Sequence, residues 1–196
     1  MKLDKTAYKK LYGEKYNEVY IHKNVENVIR YYLCFLPPRG RKNILDIGAG
    51  ITAPYRGVLQ TRCDTYKTLD IRESPLGRID YVCDLTEGTS FKDDTWEWGW
   101  CVETVEHIPQ DKQVIVVNEI IRICRNVVFT FPTPKHESFH DDPGHNEVIV
   151  DFNKFNNKFN IVDKTTKTGR AIFVLLNKNK YSGLNMVKNK MILEVV

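Results

Sequence analysis

The segment that most constrains the fold is an apolar run that ends in a carboxylate and two glycines. Residues 43–50 read Asn-Ile-Leu-Asp-Ile-Gly-Ala-Gly, which predicts a buried strand over Asn43–Ile47 followed by a tight turn. Glycine permits left-handed backbone angles and lets the backbone approach another group closely. A strand that ends in such a turn is typical of layered α/β domains built on a parallel sheet.

Beyond this turn, β-rich runs alternate with helical patterns. Strands are predicted at Tyr66–Ile71, Ile79–Asp84, Trp96–Val102, Asn126–Phe131, Phe159–Lys164 and Arg170–Leu176. Helices are predicted to start at Thr52-Ala53-Pro54, to run from Pro109 to Cys124 and to lie near Asp151–Asn157, with a long loop over Pro132–Asn146. Strands separated by helices form βαβ units, and the short link between the last two strands suits an antiparallel hairpin. The sequence therefore predicts a doubly wound, mostly parallel seven-stranded α/β sheet with an antiparallel last strand.

The chain length and the N-terminal pattern predict the domain organisation. A chain of 196 residues fits one domain. Residues 4–36 read as helical, with Tyr8, Tyr12, Tyr16 and Tyr20 on one helix face. We therefore expect one domain with a helical lid over residues 1–40, a core over residues 41–178 and a C-terminal extension over residues 179–196.

Composition excludes several classes of protein. The net charge is +4 with scattered lysines, which is weak support for a nucleic-acid partner. The apolar runs are far too short to span a bilayer, and the N-terminus lacks the apolar core of a signal peptide. The five cysteines form no CxxC pair, which argues against a disulfide framework or a zinc site. We expect a cytoplasmic protein without a membrane partner.

Two kinds of cofactor suit the glycine turn. Residues 48–53 fit the dinucleotide fingerprint GxGxx(G/A), and Asp70 follows at about the spacing of its acidic residue. Asp46, two positions before the first glycine, discriminates between these two kinds of cofactor. A pyrophosphate is repelled by a carboxylate so close, whereas an ammonium group beside a sulfonium is attracted to it.

Four segments in chain order resemble the class I S-adenosylmethionine-dependent methyltransferases. Residues 44–52 resemble motif I of that family, hhDhGxGxG, with Thr52 in place of the third glycine. Leu69-Asp70 and Cys83-Asp84-Leu85 end the second and third strands where the family has acidic residues. Residues 103–107, Glu-Thr-Val-Glu-His, resemble the EhhEH segment of small-molecule enzymes such as the ubiquinone-pathway O-methyltransferase. The resemblance covers residues 43–178.

The resemblance implies a Rossmann-like methyltransferase fold and S-adenosylmethionine as the cofactor. In this family the motif I residues meet the amino-acid end, the acid after the second strand binds the ribose hydroxyls, and the third strand end meets the adenine. The residues it assigns to cofactor binding are Asp46, Gly48, Gly50, Asp70, Asp84, Leu85 and Glu103.

A neutral hydroxyl acceptor needs a base, and histidine is the natural one near neutral pH. His107 follows the fourth strand, while His136, His140 and His145 lie in the loop after the fifth. We expect His107 or His145 to act as the base, with Glu106 beside them in the catalytic group.

A metal-assisted alternative is also open. Glu103, Glu106, His107 and, from the later loop, His145 resemble the ligand set of the metal-dependent RNA 3′-terminal 2′-O-methyltransferases. Such a set suits a divalent ion such as Mg²⁺ or Mn²⁺. The signature of those enzymes around their last histidine is not reproduced in residues 144–147.

The acceptor is less constrained than the cofactor. Residues 102–105 lack the (D/N/S)PP(Y/F) motif of amino-methylating nucleic-acid enzymes, and no Pro-Cys nucleophile is present. We therefore expect O-methylation of a small hydroxylated metabolite, with nucleic acid possible but not favoured. A nicotinamide-dependent oxidoreductase and a non-catalytic S-adenosylmethionine-binding protein remain alternatives, and the oligomeric state is not predicted.

Overall fold

The computed structural model describes the backbone of residues 41–181 and the side chains of residues 43–179. The strands are β1 Arg41–Ile47, β2 Cys63–Asp70, β3 Tyr81–Val82, β4 Trp96–Val102, β5 Cys124–Pro132, β6 Phe159–Asp163 and β7 Arg170–Asn177. The helices are α1 Arg56–Leu59, α2 Gln110–Ile123, α3 Glu137–Asp141 and α4 Lys178–Tyr181. Turns of 3-10 helix lie at Gln60–Arg62, Leu85–Glu87, Val105–His107 and Phe152–Phe155.

All seven strands belong to one sheet with the order β3-β2-β1-β4-β5-β7-β6. Strands β1 to β5 pair in parallel, and β7 runs antiparallel between β5 and β6. The predicted doubly wound sheet with an antiparallel last strand is confirmed. The strand order reverses between β1 and β4, so the carboxyl ends of these two strands border the crevice where such sheets bind ligands.

The centre of the sheet is buried on both faces. Every residue of β4 is buried, as expected for a central parallel strand that is covered on both sides. Trp98 and Trp100 belong to one core cluster with Ile44 and Leu59, while Trp96 belongs to the second core cluster.

Helix α2 packs into the core cluster that contains Leu45, Ile47 and Trp96. Its buried residues include Val116, Val117, Ile120 and Ile123. These β-branched residues have low helix propensity, so packing against the sheet supplies the stability that local preference does not. The predicted helix is confirmed, with Pro109 as its N-cap and Cys124 already in β5.

Several predicted boundaries are wrong for local reasons. Helix α1 starts at Arg56 rather than Thr52, because Ala53 has a left-handed φ of 43° that interrupts a helical path. Strand β3 keeps only two of the residues predicted over 79–84, as an edge strand with one neighbour. The loop predicted over 132–146 starts one residue later and contains α3, and residues 152–155 form a 3-10 turn.

The predicted helical lid, the predicted tyrosine face and most of the predicted C-terminal extension lie outside the described residues. The helices within residues 41–181 are all too short or too polar to cross a bilayer.

Asn126 links three strands at the amino edge of β4. Its side chain is fully buried, with Nδ2 donating to Glu97 O at 2.9 Å and Oδ1 accepting from Asn177 N at 3.1 Å. We expect Asn126→Ala to lower the free energy of unfolding by about 2–4 kcal/mol, because two buried backbone groups lose their partner. Urea unfolding followed by tryptophan fluorescence measures this.

The exposed Asn157 supplies the control for this experiment. Asn157→Ala is expected to change the free energy of unfolding by less than about 0.5 kcal/mol. Equal stability of the two variants would contradict the role given to Asn126.

Candidate functional site

The turn after β1 opens at the carboxyl edge of the sheet. Gly48 and Gly50 both have a φ of 64°, a conformation that favours glycine. A Cβ on Gly48 would lie 2.2 Å from Cγ2 and 2.4 Å from Oγ1 of Thr104, whereas a Cβ on Gly50 would meet no atom of the described residues within 4 Å. Gly48 is therefore required by packing, and Gly50 leaves space beside its backbone within the described part of the chain.

Asp70, the last residue of β2, is hydrogen-bonded to this turn. Its Oδ2 accepts from Gly50 N at 2.9 Å, and its Oδ1 accepts from Arg72 N at 3.0 Å. The backbone amides of Gly48 and Ala49 also donate to Leu69 O. The structure thus brings together the glycine turn and the predicted ribose-binding carboxylate.

The end of β3 lies beside β2. Cys83 N donates to Asp70 O at 3.0 Å, and Asp84 caps the following turn by accepting from Thr86 N at 2.9 Å. Leu85 is nearly buried in the core behind it. Asp84 and Leu85 therefore lie on the same edge as Asp70, as predicted.

Ile71 is a further residue at this edge that was not predicted from the sequence. This side chain is 60% exposed although it directly follows Asp70 at the carboxyl edge. An exposed aliphatic side chain beside a polar turn provides a surface for a flat, partly apolar ring. Its position after the predicted ribose acid was a signal that could have identified it.

Asp46 lies beneath the turn and is only 1% exposed. Its Oδ2 accepts a 2.5 Å hydrogen bond from the hydroxyl of Tyr66 on β2. Burial raises the pKa of Asp46 to about 7, and the hydrogen bond from Tyr66 and the charge of Arg56 oppose this rise. The sequence gives no signal for Tyr66, because the contact is made across two strands.

Glu103 follows β4 with a left-handed φ of 53°. Its Oε1 accepts from Thr130 Oγ1 at 2.9 Å, and its Oε2 is paired with Arg170 at the start of β7. Arg170 also donates to Ser138 Oγ of α3 at 3.1 Å. Glu103 is thus fixed by β5 and β7, and Arg170 is a site residue that sequence reasoning missed.

Glu106, His107 and His145 form a compact group. One potential ligand atom from each lies within 4.8 Å of the others. Glu106 is fully buried, and within residues 43–179 neither of its carboxylate oxygens has a hydrogen-bond partner. The predicted four-residue set is therefore only partly assembled, because Glu103 is paired with Arg170 and is not in this group.

Burial and the charge of Glu103 raise the pKa of Glu106 well above its ordinary value. Burial and the neighbouring His145 lower the pKa of His107. The rings of His107 and His145 are 4.7 Å apart, and His145 Nδ1 lies 3.2 Å from Phe139 O. The lowered pKa favours the neutral imidazole of His107, which can accept a proton or bind a cation at neutral pH.

The other two loop histidines have local roles. His136 caps α3 through Ser138, and His140 Nε2 lies 2.9 Å from Pro134 O. Neither belongs to the group formed by Glu106, His107 and His145.

The carboxyl edge is rich in carboxylates. Those of the predicted site are Asp46, Asp70, Asp84, Glu103 and Glu106. Glu103 is neutralised by Arg170, and burial favours the uncharged form of Glu106. The remaining carboxylates, when ionised, attract a positively charged ligand and repel a polyphosphate. The site is therefore suited to a cationic cofactor.

No protein-family model and no curated protein matches the sequence. Solved structures do share the fold. A S-adenosylmethionine-dependent methyltransferase from Archaeoglobus fulgidus is 20% identical with a TM-score of 0.56, over 76% of this chain and 71% of that one. The magnesium protoporphyrin IX methyltransferase of Synechocystis is 15% identical with a TM-score of 0.55, over 88% and 90%.

The small RNA methyltransferase HEN1 is 12% identical with a TM-score of 0.58, over 78% of this chain but only 25% of that protein. The chain therefore has the Rossmann-like fold of the class I S-adenosylmethionine-dependent methyltransferases. The likeness to the ubiquinone-pathway enzyme stays a prediction.

The two glycines of the turn should respond differently to alanine. Gly50→Ala costs about 1 kcal/mol of unfolding free energy from its left-handed backbone alone, whereas Gly48→Ala adds about 1–3 kcal/mol from overlap with Thr104. Urea unfolding of both variants tests this difference.

Adding Thr104→Ala to Gly48→Ala removes the two closest atoms and should restore part of the lost stability. If Gly48→Ala were no less stable than Gly50→Ala, Gly48 would not be packed as described.

Proposed function

We propose that this protein is a S-adenosylmethionine-dependent methyltransferase. The observation that carries the proposal is the left-handed Gly48–Gly50 turn, hydrogen-bonded to Asp70, at the crevice where the strand order reverses. The shared fold and the carboxylate-rich edge support it. The sulfonium and the ammonium of this cofactor both carry positive charge, which matches the local electrostatics.

The cofactor would lie across the ends of β1, β2 and β3. Its amino-acid end would lie near Asp46 and the backbone of Gly50, and its ribose hydroxyls would reach Asp70. Its adenine would pack on Ile71 near Asp84 and Leu85. Glu103 is predicted as a cofactor-binding residue. Paired with Arg170, it would form part of the wall of the cofactor site.

A nicotinamide dinucleotide suits this site less well. A pyrophosphate is usually bound at the N-terminus of the helix directly behind the glycine turn. Here α1 has only four residues and starts at Arg56, after the left-handed Ala53. Asp46, close beneath the turn, would also repel the phosphates when ionised.

The transfer step needs an acceptor aligned with the methyl group and the sulfur. Such alignment can contribute roughly 7–11 kcal/mol to lowering the barrier. We propose a small hydroxylated metabolite as the acceptor, methylated on oxygen. His107 or His145 would remove the hydroxyl proton, which typically accelerates such reactions by about 10²–10⁴-fold.

A metal-assisted variant of this reaction is a second candidate. The unpartnered carboxylate of Glu106 beside two imidazoles is the observation that favours it. Carboxylate and imidazole ligands fit Mn²⁺ or a similar divalent ion, which would lower the pKa of a bound hydroxyl. Glu106, His107 and His145 would hold the ion, while Glu103 stays on Arg170. In this case the acceptor would be a ribose 2′-hydroxyl of RNA, as the resemblance of Glu103, Glu106, His107 and His145 to the ligand set of the metal-dependent RNA 2′-O-methyltransferases implies.

The cofactor proposal is tested with S-adenosylhomocysteine, the reaction product. Isothermal titration should detect binding of this product and none of NADH. Asp70→Asn should weaken the binding by about 10–100-fold, because hydrogen bonds to a charged group contribute about 1.5–3 kcal/mol.

Asp64 supplies the matched control, since it is exposed at the amino end of the same strand. Asp64→Asn should bind the product as the wild type does. Binding of NADH without binding of S-adenosylhomocysteine would refute the proposed function.

The metal candidate is tested by titrating the protein with Mn²⁺ and following the free ion by electron paramagnetic resonance. His145→Ala and Glu106→Gln should each weaken Mn²⁺ binding by on the order of tenfold or more. His140→Ala is the control, because His140 lies outside the group. Equal Mn²⁺ binding by the wild type and the three variants would refute the proposed metal site and leave the cofactor proposal intact.

A further inference from the structure

A phenol and a carboxylate form a close pair behind the glycine turn. The hydroxyl of Tyr66 on β2 donates to Oδ2 of Asp46 on β1 at 2.5 Å. Asp46 is 1% exposed and Tyr66 is mostly buried, so water does not compete for this hydrogen bond. A short hydrogen bond to a buried carboxylate restricts the orientation of that carboxylate strongly.

Tyr66 is itself held in place by a basic residue of α1. The Arg56 guanidinium lies 5.4 Å from the centre of the Tyr66 ring. Arg56 Nη2 donates to Arg78 O at 2.8 Å and lies 3.7 Å from Asp80 Oδ2. The hydroxyl of Tyr66 is therefore presented to Asp46 from a fixed ring.

We propose that Tyr66 is a positioning residue that orients the Asp46 carboxylate toward the methionyl ammonium of the cofactor. The proposal rests on the proposed function, and it assigns to Tyr66 a role that acts through Asp46 rather than by contact with the methyl group. Removal of the hydroxyl should change the pH range in which the cofactor binds.

The pH dependence follows from the groups around Asp46. They are Tyr66 and Asp70 on β2, Arg56 on α1 and the thiol of Cys101 on β4. Burial raises the pKa of Asp46 to about 7, while Tyr66 and Arg56 lower it and Asp70 raises it. Burial and Asp46 raise the pKa of Tyr66 above its usual range, so the phenol keeps its proton and remains a donor.

The direction of the change in affinity with pH depends on which protonation state of Asp46 binds an ammonium group. The ionised form attracts it and the protonated form does not. Affinity should therefore fall by about tenfold for each pH unit below the pKa of Asp46. Without the Tyr66 hydroxyl the ionised form loses a partner, so this decline should start at a higher pH.

The experiment measures dissociation constants of S-adenosylhomocysteine from pH 5.5 to pH 8 by isothermal titration. For Tyr66→Phe we expect the pH at which affinity starts to fall to move upward by on the order of one unit. Tyr81→Phe removes a hydroxyl from the half-buried Tyr81 of β3 and should follow the wild-type profile. Circular dichroism checks that each variant is folded.

A second ligand, which lacks the ammonium group, tests whether the effect depends on that group. 5′-Methylthioadenosine carries the nucleoside and the sulfur but no amino-acid group, so Tyr66→Phe should leave its pH profile unchanged. Any other group that changes charge in this range would affect the wild type and Tyr66→Phe alike.

The outcomes separate this inference from the proposed function. A Tyr66→Phe profile that coincides with the wild-type profile would overturn the role of Tyr66 while the cofactor assignment stands. Failure of folded wild type to bind S-adenosylhomocysteine at any pH would overturn the proposed function, and this inference with it. If Tyr66→Phe does not fold, Asp46→Asn provides the test. Asp46→Asn should bind S-adenosylhomocysteine more weakly than the wild type, and its affinity should not fall as the pH decreases. A pH profile like that of the wild type would overturn the inference.

Discussion

The close contact between the first turn and Thr104 is the constraint on which the rest of the site depends. Because Gly48 has no side chain, β1 can turn directly against the segment that follows β4. In the same turn the amide of Gly50 donates a hydrogen bond to the Asp70 carboxylate, and two further amides donate to Leu69 O. The carboxyl ends of three neighbouring strands are thereby held together at the point where the strand order reverses.

The acidic side chains along this edge differ in their hydrogen-bond and ion-pair partners. Asp46 is paired with Tyr66, Asp70 with backbone amides and with Arg72, and Glu103 with Arg170, whereas Glu106 has no hydrogen-bond partner among the described residues. Close carboxylates repel one another unless cations, donors or protons compensate. In the proposed function, Asp46 and Asp70 would meet the cofactor, and Glu106 would lie with the two histidines on the acceptor side.

The doubly wound sheet and the positions of the glycine turn and of the acidic strand ends were predictable because their signals are local. An apolar run, a glycine turn and an acid at a strand end can be read in short windows, as Gly48 and Asp70 illustrate. Arg170 and Tyr66 were not predictable, because each meets its carboxylate only after distant strands have paired. The left-handed backbone of Ala53, which delays α1, also depends on its surroundings rather than on alanine's own preference.

The central claim is that the carboxyl edge of β1, β2 and β3 binds S-adenosylmethionine. A crystal structure of the full chain grown with S-adenosylhomocysteine tests it most directly. We expect the amino-acid end at Gly48–Gly50 near Asp46, the ribose on Asp70 and the adenine against Ile71. A structure at saturating ligand with this edge empty, or with the ligand bound at another face, would contradict the claim.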